Sequence, residues 1–289
     1  MAINRYPSDW YGTLTMRLAE IERQFPDAHI HALIEGVLAD SCHSFLKRST
    51  RLPFVALYAN TASADEETLS ISPLLVEYRA NEHDTWNTLL KKTSGVPALS
   101  LIVTSESITQ LATRLTPWCI VDAGGHHLAL SFADTRILPV LFAAVTPQQK
   151  AQLCGPANCW QYVSRTAEWE TLSLPETGLP PADEIILSEG QCTQLIDAAE
   201  ADGVLYQLRA HSANLVDCHT PARAHEIVSR WLACADHARI EAASERMRLC
   251  ELGFTHPELE RNPRVAEWLA MPSVAMTVET MRMKWMQTS

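Results

Sequence analysis

The chain has 289 residues, 47% of them hydrophobic, enough to bury a sizeable core in one large domain or two lobes, so disorder is not the default state. Its 34 Asp and Glu against 23 Lys and Arg give a formal charge of −11, which argues against generic binding to nucleic acid or an anionic membrane, since both reward a basic surface. The start, Met1 to Ser8, lacks a signal peptide's apolar core and no later segment is long and apolar enough to span a bilayer, so a cytoplasmic protein is expected.

In chain order, Trp10, Leu14, Leu18 and Ile21 predict one apolar face of a helix capped at Ser8, and Ile30 to Ile34 reads as a strand. Val37 to Lys47 reads as helical, Phe54 to Tyr58 and Leu69 to Tyr78 as strands, with Pro73 tolerated only at a bulge or edge, and Asp84 to Lys92 as helical again. Leu99 to Val103 is a short apolar strand that stops at Thr104-Ser105-Glu106-Ser107, small polar residues that supply an N-cap for a helix from Ile108 to Leu115. Trp118 to Val121 and His127 to Phe132 flank Asp122-Ala123-Gly124-Gly125, where the paired glycines permit the positive φ of a hairpin turn. Asp134 or Thr135 then caps a helix carrying Leu138, Leu141 and Phe142, and Gly155-Pro156 with Trp160 closes the unit with a turn and a core side chain.

Three prolines, a glycine and acidic residues between Leu174 and Asp183 stop regular structure. Beyond them Ser188 and Gln191 have capping-box spacing, and Cys192, Leu195, Ile196 and Ala199 follow at helical intervals. Pro221 starts a helix with Ile227, Val228, Trp231, Leu232 and Ala235 as its stripe, ended by Gly253, and His256-Pro257 opens another through Trp268 and Leu269. The expected architecture is an α/β (α+β) lobe with a mixed sheet over residues 1–172, a Pro-rich acidic linker over 173–187, and an all-helical lobe over 188–289.

Catalytic signatures are missing: no Gly-x-Ser-x-Gly elbow, no His-Glu-x-x-His, no phosphate loop and no dinucleotide fingerprint. Among the eleven histidines, His126-His127, Cys234-x-x-His237 and Cys218-His219 invite a metal, yet strand neighbours face opposite ways and no second closely spaced pair completes four ligands, so no metal or cofactor is expected. Eight scattered cysteines read as reduced, mostly buried thiols, and Cys154 and Cys159 as packing residues around the Gly-Pro turn. Asp134 and Arg136 read as a cap and an ion pair or surface contact. From Ser173 to Leu208 seven acids, including Glu189, Glu200 and Asp202, occur without Lys or Arg, which makes this run either a contact surface for a basic partner or a solvated face. Met276, Met281 and Trp285 belong to a soft apolar tail that either adapts to a partner or packs back on the helical lobe.

Taken in order, His31 to Gly36, Ile71 to Val76, Ser105, Phe132-Ala133-Asp134-Thr135-Arg136, and Gly155-Pro156 with Trp160 resemble the adaptor chaperones of bacterial type VI secretion. This family was long filed as a domain of unknown function. The resemblance implies a non-enzymatic adaptor that binds a cognate toxic effector in the cytoplasm and delivers it to the VgrG-type spike. Family members often carry an arginine and an aromatic before the aspartate; here those places hold Ser131 and Ala133, so a contact made by that arginine is not carried over. The alternative is a hydrolase or transferase using dispersed Cys, His and Asp residues.

Overall fold

The computed structural model describes residues 2–49, 51–60 and 64–261, and the chain divides into two compact units, 1–198 and 199–289. The first unit contains α1 (Trp10–Gln24), β1 (His29–Ile34), α2 (Ser41–Arg48), β2 (Phe54–Ala56), α3 (Glu66–Ser70), β3 (Leu74–Glu77), α4 (His83–Lys91) and β4 (Leu99–Thr104). It continues with α5 (Ile108–Leu115), β5 (Ile120–Ala123), β6 (His127–Ala129), α6 (Leu138–Ala144), α7 (Pro147–Cys154), β7 (Ala157–Val163), β8 (Trp169–Thr171) and β9 (Ile186–Leu187).

Six strands form one sheet in the order β2-β3-β1-β4-β7-β8, antiparallel at every step. A second sheet, β6-β5-β9, holds the parallel pairing, between β5 and β9. Both faces of the large sheet are covered, which is why its strands read as continuous apolar runs. Ile30, Ala32, Ile34, Leu99, Leu101 and Val103 point into a core shared with Trp10, Leu14, Leu18, Leu46 and Trp86 of α1, α2 and α4. Leu33, Leu75, Ile102 and Trp160 point the other way, against Leu111, Leu115, Leu141 and Phe142 of α5 and α6 and against the small sheet. Trp160 is fully buried; its ring N–H donates to Ser100 Oγ at 3.1 Å and its ring packs nearly perpendicular to that of Phe142.

The α/β lobe followed by helices is as expected, with local differences. The residue preceding α1 is Asp9, whose side chain caps nothing. Residues 37–40 form turns, so α2 begins only at Ser41. Leu57–Asn60 is a 3-10 turn instead of strand, and Leu69 falls in α3, with β3 starting only after Pro73. The Leu174–Asp183 stretch is not a free linker. Leu174, Ala182, Ile185 and Leu187 pack into the second core, the Leu179 N–H donates to the Ala151 carbonyl, and β9 completes the small sheet.

Helix α8 (Glu189–Asp217) starts from the Ser188/Gln191 capping box, passes the division between the units and is interrupted at Ser212, whose φ of −146° is not helical. In the second unit α9 (Pro221–His237) and α10 (Ala243–Thr255) pack around Trp231, Val228, Leu249 and Phe254. The single helix expected from Pro221 to Gly253 is therefore two, broken where Arg239 takes a φ of +56°. Gly253 lies inside α10, where a Cβ would fall 2.0 Å from the Trp231 ring nitrogen, so it marks a close helix approach and not a helix end. The helix expected through Trp268 and Leu269 and the Met-rich tail lie outside the described residues.

Candidate functional site

Of the polar residues singled out by sequence, Asp134 and Arg136 lie at the start of β4, and a second ion pair lies at its other end. At its start, the Glu35 N–H donates to the Ala98 carbonyl and the Thr135 N–H to that of Pro97, so the end of β1 and the 134–136 turn share one anchor. Asp134, 3% exposed, accepts from the Arg136 N–H at 2.8 Å and pairs with the Arg136 guanidinium at 2.6 Å. It does not cap α6 through its side chain: the residue preceding that helix is Ile137, and the aspartate contributes its carbonyl, which accepts from the Ile137 and Leu138 N–H groups. Thus the ion pair is present, buried instead of surface-facing.

Glu35, 1% exposed, lies beside this pair. Burial, and then the Asp134 charge, push its carboxyl up to about 8, against one stabilising bond from the Val37 N–H. Its Oε2 and the Thr135 Oγ1 have no hydrogen-bond partner among the described residues. An open recess of about 240 Å³ adjoins, lined by Thr135, Arg136, Tyr162, Ser164, Arg165 and Glu170. The Tyr162 hydroxyl donates to Glu170, and burial raises the phenol's pKa.

At the other end of β4, Arg114 of α5 is 4% exposed and forms a forked pair with Glu106, at 2.9 Å from Nε and 2.6 Å from Nη2. Its Nη1 donates to the Gln152 and Leu179 carbonyls, both at 2.8 Å. Gly155 makes room for it: a Cβ there would fall 2.2 Å from Arg114 Cζ, and its φ is +51°. Gly178 in turn comes so close to the Gly155 backbone that a Cβ would lie 1.9 Å from its carbonyl oxygen. His31 is fully buried next to this junction; its Nε2 meets the Glu106 carbonyl, and burial lowers its imidazole pKa. Sequence reasoning missed Arg114, Glu106, Glu35 and Gly178. The only local hint was Glu35 inside an apolar run.

The other expected residues separate. Ser105 is exposed, and the helix cap is its neighbour Ser107, in a capping box with Gln110. Pro156 is exposed beside the buried Gly155. Glu189 is exposed in the first unit, whereas Glu200 and Asp202 belong to the second. Glu200 is engaged by Arg246 at 2.6 Å and 2.7 Å, and Arg246 also meets Asp236, so Glu200 holds α8 to α10. Met276, Met281 and Trp285 lie outside the described residues.

Burial pushes the thiols of Cys154 and Cys250 up to about 12 and raises those of Cys119 and Cys159 as well, which disfavours the thiolate at these positions. All eight cysteines are free. Among the described residues no three His, Cys, Asp or Glu side chains converge as a metal site, and no helix is long and apolar enough to cross a membrane.

The span that carries all three junction carboxylates, Glu35, Glu106 and Asp134, is also the span that a known family model matches. Residues 30–152 match the family model of DUF4123, a domain of unknown function. The match runs from β1 into α7 and so takes in Glu35, Glu106, Arg114, Asp134 and Arg136, while Gly155 and Trp160 follow it. No curated protein and no solved structure matches the chain.

Proposed function

We propose that this chain is a non-enzymatic adaptor of type VI secretion, which binds a cognate effector in the cytoplasm and delivers it to a VgrG-type spike. The observation that carries the reading is how the polar groups of the matched span are used. Asp134 holds Arg136 within a turn that the Thr135 N–H ties to the Pro97 carbonyl before β4, and Glu106, just after β4, holds Arg114, which also binds the Gln152 and Leu179 carbonyls. Catalysis needs a nucleophile or acid aimed at a space where a reacting atom sits, with donors to meet developing charge. Here the charged groups face each other and fix backbone, as in a rigid platform for another protein. The order of motifs along the chain supplies the partners' identity.

The test is co-purification. The tagged full-length chain, expressed with the effector and spike genes encoded beside its own, is expected to retain both products, and its deletion to abolish export of that effector alone. Effector export undiminished by the deletion, or retention of neither product, removes the reading.

A further inference from the structure

The small sheet carries an outer face and an open edge that the two junctions do not use. Register puts Ile120, Asp122, His127, Ala129 and Ile186 on one side, because Ile120 is opposite Ala129, and Asp122 opposite both His127 and Ile186. On the other side Val121 and Leu187 are buried in the second core, whereas Leu128, opposite Val121, is 51% exposed. On the outer side Ile120 is 45% and Ile186 61% exposed, next to exposed His127 and Ala129.

Strand β6 has β5 as its single neighbour. The Leu130 N–H donates to the Cys119 carbonyl and the Ala123 N–H to that of His126, and antiparallel alternation between these bonds turns the backbone groups of Leu128 toward β5. Those of His127 and Ala129 consequently point away from the sheet. The opposite edge, at β9, is blocked, since the Gln149 amide donates to the Ile186 carbonyl at 2.8 Å. The β6 edge has no such cover among the described residues.

Charge selects the occupant. Neither the hairpin from Trp118 to Ala133 nor the segment from Ser173 to β9 contains Lys or Arg, while Asp122 lies on the outer face and Asp183 and Glu184 are exposed just before β9. A second copy would bring like-charged faces of a −11 chain together, and an anionic bilayer would be repelled in the same way. We infer that the β6 edge takes up, by strand addition, an extended segment of a partner protein that alternates apolar and basic side chains, while the partner surface flanking that segment covers the Ile120–Ile186 face. Main-chain bonds to His127 and Ala129 supply affinity, and the apolar face with its acidic rim supplies selection. The inference rests on the adaptor reading and gives it a docking surface.

The experiment uses the full chain with the purified neighbouring effector and spike proteins as probes. Ala129→Pro removes an outward N–H without breaking a bond to β5, and Ile186→Lys places a positive charge on the outer face. Each is expected to weaken binding of one of the two proteins at least about tenfold, with Met16→Lys, at an exposed position of α1, within about twofold of wild type. In that complex the His127 and Ala129 amides exchange hydrogen more slowly than in the free chain. Wild-type affinity in both variants, with circular dichroism showing them folded, or unslowed His127 and Ala129 exchange, overturns the inference and leaves the adaptor reading standing. A wild-type dimer that Ala129→Pro converts to monomer assigns the edge to a second copy and overturns it too. Capture of neither protein by wild type removes both. Should Ala129→Pro not fold, Ile186→Lys and the exchange of the wild-type complex decide.

Discussion

The two ends of β4 use the same materials, buried carboxylates and an arginine, and treat charge differently. At the Thr104 end Arg114 is met by both oxygens of Glu106 and by two backbone carbonyls, inside a space that exists only because residues 155 and 178 lack side chains. At the Ala98 end one arginine serves Asp134 while a second carboxyl, Glu35, stays buried with an unpartnered oxygen. The first is a saturated lock, costly to disturb. The second keeps a proton in place of a counter-charge, so its stability is tied to pH.

Disturbing the lock should produce the largest effects. Gly155→Ala forces a side chain onto the Arg114 guanidinium and into a positive-φ conformation that non-glycine residues avoid, and is expected to cost roughly 3 kcal/mol or more in urea denaturation. Arg114→Met should cost a similar amount, about 3–5 kcal/mol, because Glu106 and two carbonyls lose their donor. If either variant melts within a degree or two of wild type, the saturated-lock description is wrong.

Glu35→Gln sharpens the contrast. Because the folded protein holds the Glu35 proton up to about pH 8 and the unfolded chain releases it near 4.5, the stability this group confers is full below 4.5 and is lost as pH rises to 8. The variant cannot ionise and should keep it, gaining on the order of 4 kcal/mol over wild type above pH 8 and almost nothing at pH 4. Parallel melting-temperature profiles of the two proteins from pH 4 to 9 would contradict this. Asp134→Asn removes the charge facing Glu35, so the fall with pH should become shallower and end at a lower pH, while the lost partner of Arg136 costs about 1–3 kcal/mol at every pH. The smallest effect is expected from Cys154→Ala with Cys159→Ala: about 1–2 kcal/mol and unchanged partner binding. A folded double variant that still binds yet no longer supports effector export would point to thiol chemistry instead.

What sequence reasoning located well has its cause within a few residues. Helix α5 is marked by a capping box, α1 by the stripe Trp10, Leu14, Leu18 and Ile21, and the β5–β6 hairpin by Gly124-Gly125, both with positive φ. What it missed depends on distant chain. Arg114 is an ordinary helix residue until Leu179 and Gln152 bring carbonyls to it, and nothing near Glu35 announces Asp134. The α9–α10 break was hidden because Arg239 takes a left-handed conformation with no glycine to mark it, and Gly253, which reads as a stop, is a contact with Trp231. Of the acidic residues proposed for recognition, Glu200 is tied down by Arg246, so charge reversal is informative at Glu189 and not at Glu200.

The acceptors that complete the Arg114 lock and the strand that closes the small sheet are both translated late, at Leu179 and at Ile186–Leu187. A nascent chain that has emerged only as far as β8 therefore holds Arg114 one carbonyl short and leaves the β9 side of β5 without its strand. The small sheet of such an intermediate offers two open strand edges instead of one, and is exposed to misassociation until the proline-rich strap arrives. A fragment cut at Leu172, where the composition changes, would freeze the protein in that state, whereas one ending near Ala198 retains every bond of the strap.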